Sequence, residues 1–95
     1  MMINAKLKEK IVAFLRDNGA KKICIFGSYA RGEEGPDSDL DIMVEFAEKK
    51  SLLDIIGIEQ ELTDETGIKV DLLTERSISP YMIDEIKKEM AVVYG

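Results

Sequence analysis

Three of the chain's aspartates and one Gly-Ser pair are the residues whose types and spacing could do chemistry. Gly27-Ser28 follows directly on an apolar run, Ile23-Cys24-Ile25-Phe26. Ten residues further on come Asp39 and Asp41, with Leu40 between them, at the head of a second apolar run. Asp71 interrupts a third such run, Val70 to Leu73. In an extended strand alternate side chains share a face, with Cα atoms about 6.6 Å apart. Two carboxylates at that spacing can lean together onto divalent cations, which in paired sites stand about 3.5–4 Å apart. Aspartate is disfavoured inside strands, and a lone carboxylate is costly to bury. A cation or solvent is therefore expected beside these three. Gly27 has no side chain, so a phosphate can approach its backbone. Ser28 is predicted to cap a short helix over Tyr29, Ala30 and Arg31, whose free N–H groups favour anions. Together the residues read as a site for a nucleoside triphosphate and a divalent metal. Taken singly, each piece has a plainer reading: an ordinary strand-to-helix turn at Gly27-Ser28, an exposed edge at Asp39 and Asp41.

The elements that must position these groups follow from periodicity. Ile3, Leu7, Ile11, Phe14 and Leu15 recur at helical spacing, and Asn18-Gly19 is a stop signal. A first strand is predicted over Ile23 to Phe26; its unbroken apolar run implies cover on both faces. Cys24 lies within it and reads as buried packing. Gly35-Pro36 marks a loop before a second strand, Leu40 to Phe46. There Leu40, Ile42, Val44 and Phe46 point one way, and Asp39, Asp41, Met43 and Glu45 the other. Ser51 with Asp54 forms a capping-box pattern that opens a helix to about Glu65. Its inner side is predicted as Leu52, Ile55, Ile56, Glu59 and Leu62. A third strand spans about Ile68 to Leu73. Ser79-Pro80 starts a final helix with an apolar stripe of Ile83, Ile86, Met90 and Val93. Met82, Ala91, Val92 and Tyr94 widen that stripe, which points to a partner surface or to extra core contact. The predicted order is α-β-α-β-α-β-α, an α/β arrangement of a small sheet with helices against it.

Composition bounds the possibilities. Ninety-five residues fit a single domain with one modest core. The net charge of −6 argues against nucleic acid as a primary partner, since phosphate backbones call for a basic stripe. A metal-bound nucleotide is compatible, because the cation reverses the local sign. One cysteine and no histidine exclude an internal disulfide and a structural zinc site. No signal peptide or long apolar run is evident, so no membrane role and a soluble, cytoplasmic protein are expected.

The joint pattern resembles the DNA polymerase β-like nucleotidyltransferase superfamily. Gly27-Ser28, ten intervening residues, Asp39-Leu40-Asp41 and a later-strand Asp71 match its signature. GSYARG, the SDLD block and the ending Ala91-Val92-Val93-Tyr94-Gly95 look more narrowly like the minimal nucleotidyltransferases (MNT), the MntA-like type, over essentially the whole chain. The resemblance implies the polymerase β-like fold, a three-stranded mixed sheet flanked by helices, with residues 1–95 as one minimal domain. It implies that Asp39, Asp41 and Asp71 hold one or two Mg²⁺ ions, with Mn²⁺ also suitable. Gly27, Ser28 and nearby N–H groups would hold the phosphates. Arg31 would assist there, unless it is simply a solvated or salt-bridged helix arginine.

The implied reaction is attack of a hydroxyl on the α-phosphorus of ATP or another NTP, with release of pyrophosphate. So short a chain has no room for an acceptor-binding lobe, and a hetero-oligomer is expected, or a homodimer. Minimal nucleotidyltransferases commonly pair with a HEPN protein, a helical ribonuclease toxin. The leading expectation is an antitoxin that transfers AMP to a tyrosine of such a toxin. Two alternatives stand beside it: a non-catalytic antitoxin acting by binding alone, and a transferase subunit acting on a small molecule such as an aminoglycoside-like antibiotic.

Overall fold

The structure, a computed structural model, describes residues 4–95; Ile3, placed above in the first helix's stripe, lies outside the described residues. Helix α1 (Ala5–Asp17) begins where the Asn4 side chain accepts the Lys6 N–H at 2.7 Å. It ends at Asn18, and Gly19 then turns the chain with φ +92°. The chain continues through β1 (Ala20–Phe26), α2 (Gly27–Arg31), β2 (Leu40–Phe46), α3 (Leu52–Thr66) and β3 (Val70–Thr74). One 3-10 turn (Glu75–Ser77) leads to α4 (Pro80–Glu89) and β4 (Ala91–Tyr94). The Ser51–Asp54 capping box closes as expected, and Gly67 ends α3 in the left-handed region. Ser79 caps α4 with Pro80 at its first turn.

The sheet has four strands in the order β3-β2-β1-β4, not three. β1 runs antiparallel to β2 and β4, while β2 and β3 are parallel across the α3 crossover. The expected continuation of the last helix is the main departure. The helix stops at Glu89, and Ala91–Tyr94 pairs with Ile23, Cys24 and Ile25 of β1. Val92, Val93 and Tyr94 are β-branched or aromatic and suit an extended edge. Without them the N–H and C=O groups along that side of β1 would lack partners. Val93 and Tyr94 pack against the core, Val92 is exposed and Ala91 is half-buried, so the tail gives core contact through two of its four residues.

Alternation gives the sheet two unlike faces. Ile23, Ile25, Leu40, Ile42, Val44, Val70 and Leu72 face α1 and α3, meeting Ile11, Leu15, Ile58 and Leu62. Complete burial of a leucine or isoleucine is worth about 1.5–3 kcal/mol, so this layer holds the molecule together. The inner side of α3 differs from expectation. Ile58 is buried, whereas Leu52 and Leu53 are 73% and 81% exposed and Ile56 is on the outside. Glu59 does point inward, where its Oε2 accepts the Leu72 N–H of edge strand β3 at 2.8 Å. The second face is covered more thinly. Cys24, Phe26 and Met43 lie beneath Ile86 of α4, with Leu73, Ile78, Ile83 and Met90 around them.

Candidate active site

The candidate site lies on that second face, one step beyond the cover of α4. Register explains its position. Cys24 pairs with Met43, and Met43 with Leu73, giving an apolar row across three strands. Two residues along, Phe26 pairs with Asp41, and Asp41 with Asp71. Residues in register on neighbouring strands share a face, so Asp41 and Asp71 stand side by side. Asp39 precedes β2 and belongs to the same alternating set. The structure thus sets Asp41 beside Asp71, with the charge of Asp39 acting on Asp41; Asp39 and Asp41 border the groove against α4 and Asp71 does not.

Their proximity has an electrostatic signature. The Asp41 carboxyl is pushed up from 3.8 to about 6. Burial is the largest cause, followed by the negative charges of Asp71 and Asp39, and then a hydrogen bond with Asp71. Among the described residues no three such side chains already close into a cation cage. Asp39 instead leans to Lys69, its Oδ2 3.8 Å from the Lys69 Nζ. The donor set is nevertheless all carboxylate oxygen, the chemistry that Mg²⁺ and Mn²⁺ prefer. A cation placed there would oppose the repulsion that raises Asp41. The residues fit the metal.

Gly27 supplies the turn against these acids. Its φ of +73° suits glycine, and a Cβ on it would collide with the Asp41 Oδ2. Ser28 is placed differently from the expectation. The helix opens at Gly27 with Phe26 at the cap, and no side chain caps it. Ser28 is therefore inside the first turn rather than at its cap, because the glycine's positive φ begins the turn one residue sooner. It still borders the groove that holds Asp39 and Asp41. Arg31 borders that groove too, with its Nε 3.0 Å from Glu33 and its Nη1 3.1 Å from Glu89. Hydrogen bonds to Glu33 and then Glu89 raise its pKa further. As found, Arg31 is the salt-bridged helix arginine, tying α2 to the end of α4.

The groove encloses about 610 Å³ between this acidic end of the sheet and α4. Small-molecule sites commonly enclose about 300–1,000 Å³. Its α4 wall includes Tyr81, Met82, Glu85 and Glu89, none of which the sequence reading assigned to a site. The sequence reading puts Met82 in the widened apolar stripe, as partner surface or core contact; the structure leaves it exposed at the groove beside Tyr81. A second cleft, about 710 Å³, opens where β2 ends, lined by groups including Lys21, Glu45, Lys50, Glu75 and Arg76. None of Asp39, Asp41 and Asp71 lines it.

Residues 7–93 match the family model described as a nucleotidyltransferase domain. A Methanocaldococcus jannaschii protein, provisionally named a protein adenylyltransferase, is 48% identical over 89 residues, covering 94% of this chain and 95% of that one. The protein adenylyltransferase MntA of Thermococcus cleftensis is 40% identical over 75 residues, 79% of this chain and 76% of that one. Among solved structures, a tri-AMPylated Shewanella oneidensis HEPN toxin in complex with its MNT antitoxin superposes with a TM-score of 0.78. Identity there is 27%, over 95% of this chain and 71% of the other. The strand register, the glycine turn and these likenesses agree: the chain belongs to the nucleotidyltransferase family, among its minimal, MntA-like members.

Proposed function

We propose that this chain is a Mg²⁺-dependent protein adenylyltransferase that moves AMP from ATP to a tyrosine hydroxyl of a HEPN toxin and thereby acts as its antitoxin. The observation that carries the reading is the in-register Asp41–Asp71 pair beside the Gly27 turn. Asp39, Asp41 and Asp71 would hold the metal, which supplies charge neutralisation for the triphosphate and the attacking oxygen. Gly27 and Ser28 bind the phosphates, Gly27 by leaving its backbone open to them. Arg31 joins them by exchanging Glu89 for a phosphate oxygen, since its Nη1 can donate to either anion. Asp71 orients the attacking hydroxyl and accepts its proton. The tyrosine oxygen forms a bond to the α-phosphorus, the bond from that phosphorus to the α–β bridging oxygen breaks, and pyrophosphate leaves. The HEPN partner supplies the acceptor. The relatives' names and the toxin complex support that choice.

The test is incubation with ATP labelled at the α-phosphate, Mg²⁺ and a candidate HEPN-type helical partner. The expected result is label on a partner tyrosine, lost in Asp39→Ala and Asp41→Ala. A complex that silences the partner without label, equally well in both variants, would mean inhibition by contact alone.

A further inference from the structure

The groove has two walls, and phosphate chemistry uses only one; the α4 wall carries Glu85 and Glu89 as well as Tyr81 and Met82. Gly27, Ser28, Arg31, Asp39 and Asp41 form the polar wall. The opposing wall is the first turn of α4, where Tyr81 is 91% exposed and Met82 59% exposed. Neither residue belongs to the core beneath α4, which is served by Ile83 and Ile86. Both border the same groove as Asp39 and Asp41. A triphosphate whose charged end meets the cation and Arg31 leaves its nucleoside end to the remaining wall. That wall offers an aromatic face beside a soft, polarizable thioether. Aromatic faces hold bases by stacking, which tolerates any base identity. Methionine adapts its shape to flat ring systems. In the free chain the Arg31–Glu89 ion pair bridges α2 and α4, across the two walls.

We propose that Tyr81, with Met82 beside it, is the platform on which the nucleobase of the bound triphosphate stacks. The assignment rests on the nucleotide reading above and adds the base subsite to it. Tyr81 acts through its ring face, not through its hydroxyl.

Binding of AMP-PNP and of inorganic tripolyphosphate, both with Mg²⁺, measured by calorimetry on the full chain, tests the platform separately from the phosphate site. The wild-type chain is expected to bind AMP-PNP more tightly than tripolyphosphate. Tyr81→Ala is expected to weaken AMP-PNP by roughly 5- to 100-fold while leaving tripolyphosphate unchanged. Tyr81→Phe should bind both as the wild type does. The proposal is overturned if Tyr81→Ala binds AMP-PNP normally, including the case where only association with the protein partner suffers. Equal weakening of both ligands would mark a structural role, and loss in Tyr81→Phe a role for the hydroxyl; either overturns it. Failure of the wild-type chain to bind either ligand would remove the phosphate site itself and the platform with it.

Discussion

At the scale of single residues, the site depends on one contact between a backbone and a carboxylate. Gly27 has a positive φ and lies directly against Asp41, so a side chain there meets two obstacles. Gly27→Ala should destabilise the fold by about 1–3 kcal/mol. It should also displace Asp41, so that nucleotide binding falls further than stability alone explains. Denaturant unfolding and AMP-PNP titration of the same sample check both. Asp41 gives a second prediction. The folded chain holds its proton more tightly than the unfolded chain does, with a pKa of about 6 against 3.8. Its stabilising contribution is therefore complete below pH about 4 and lost as pH rises through about 6. Asp41→Asn should remove that loss. Without metal, the variant should melt a few degrees above the wild type at pH 7, and the gap should close toward pH 4. Millimolar Mg²⁺ should reverse the ranking, because a ligand that binds only the folded wild type stabilises it alone. Thermal melts at both pH values, with Mg²⁺ and with chelator, read out each part.

At the scale of elements, the edges of the sheet decide most. β3 is an edge strand, and Glu59 reaches from α3 to bind its Leu72 N–H. Glu59→Ala should cost about 1–3 kcal/mol by orphaning that partly buried donor. Glu59→Gln, which keeps an acceptor oxygen, should recover most of it, as chemical denaturation will show. Leu72 is next to Asp71, so loss of this anchor should also weaken Mg²⁺ binding. The sequence made some of this legible and hid the rest. β2 was readable to the residue because Leu40, Ile42, Val44 and Phe46 alternate strictly with polar neighbours or Met43. Asp39, Asp41 and Asp71 stood out because a carboxylate is disfavoured inside an apolar strand, although an exposed edge also accounts for Asp39 and Asp41 taken singly. β4 was not, since Val93 also fits the helical spacing of Ile83, Ile86 and Met90. What settles its state is the unpaired side of β1, some seventy residues earlier in the chain. The inner face of α3 failed for a related reason. Leu52, Leu53, Ile55, Ile56 and Ile58 surround the start of that helix, and periodicity could not say which of them the sheet would cover.

At the scale of the whole molecule, one face of the sheet is closed and the other is part closed and part site. α1 and α3 seal the first face, whereas α4 alone covers the second and stops short of the acids. No helix among the described residues is long and apolar enough to cross a membrane. In the function proposed above the groove takes the donor nucleotide and the partner brings the acceptor. The isolated chain should accordingly bind Mg²⁺ and AMP-PNP yet turn over slowly. Adding the helical partner should raise the rate of pyrophosphate release at least tenfold, measured in a coupled assay. Equal rates with and without the partner would place the acceptor on this chain.

The pairing of Asp41 with Asp71 has a consequence for how the catalyst is born. Their adjacency is a property of the β2–β3 hydrogen-bond ladder, not of a loop that settles afterwards. A slip of a single position would turn one carboxylate toward the aliphatic layer and disarm the pair. Assembly of the pair therefore coincides with formation of the β2–β3 ladder, and cation affinity during refolding becomes a clock for that step.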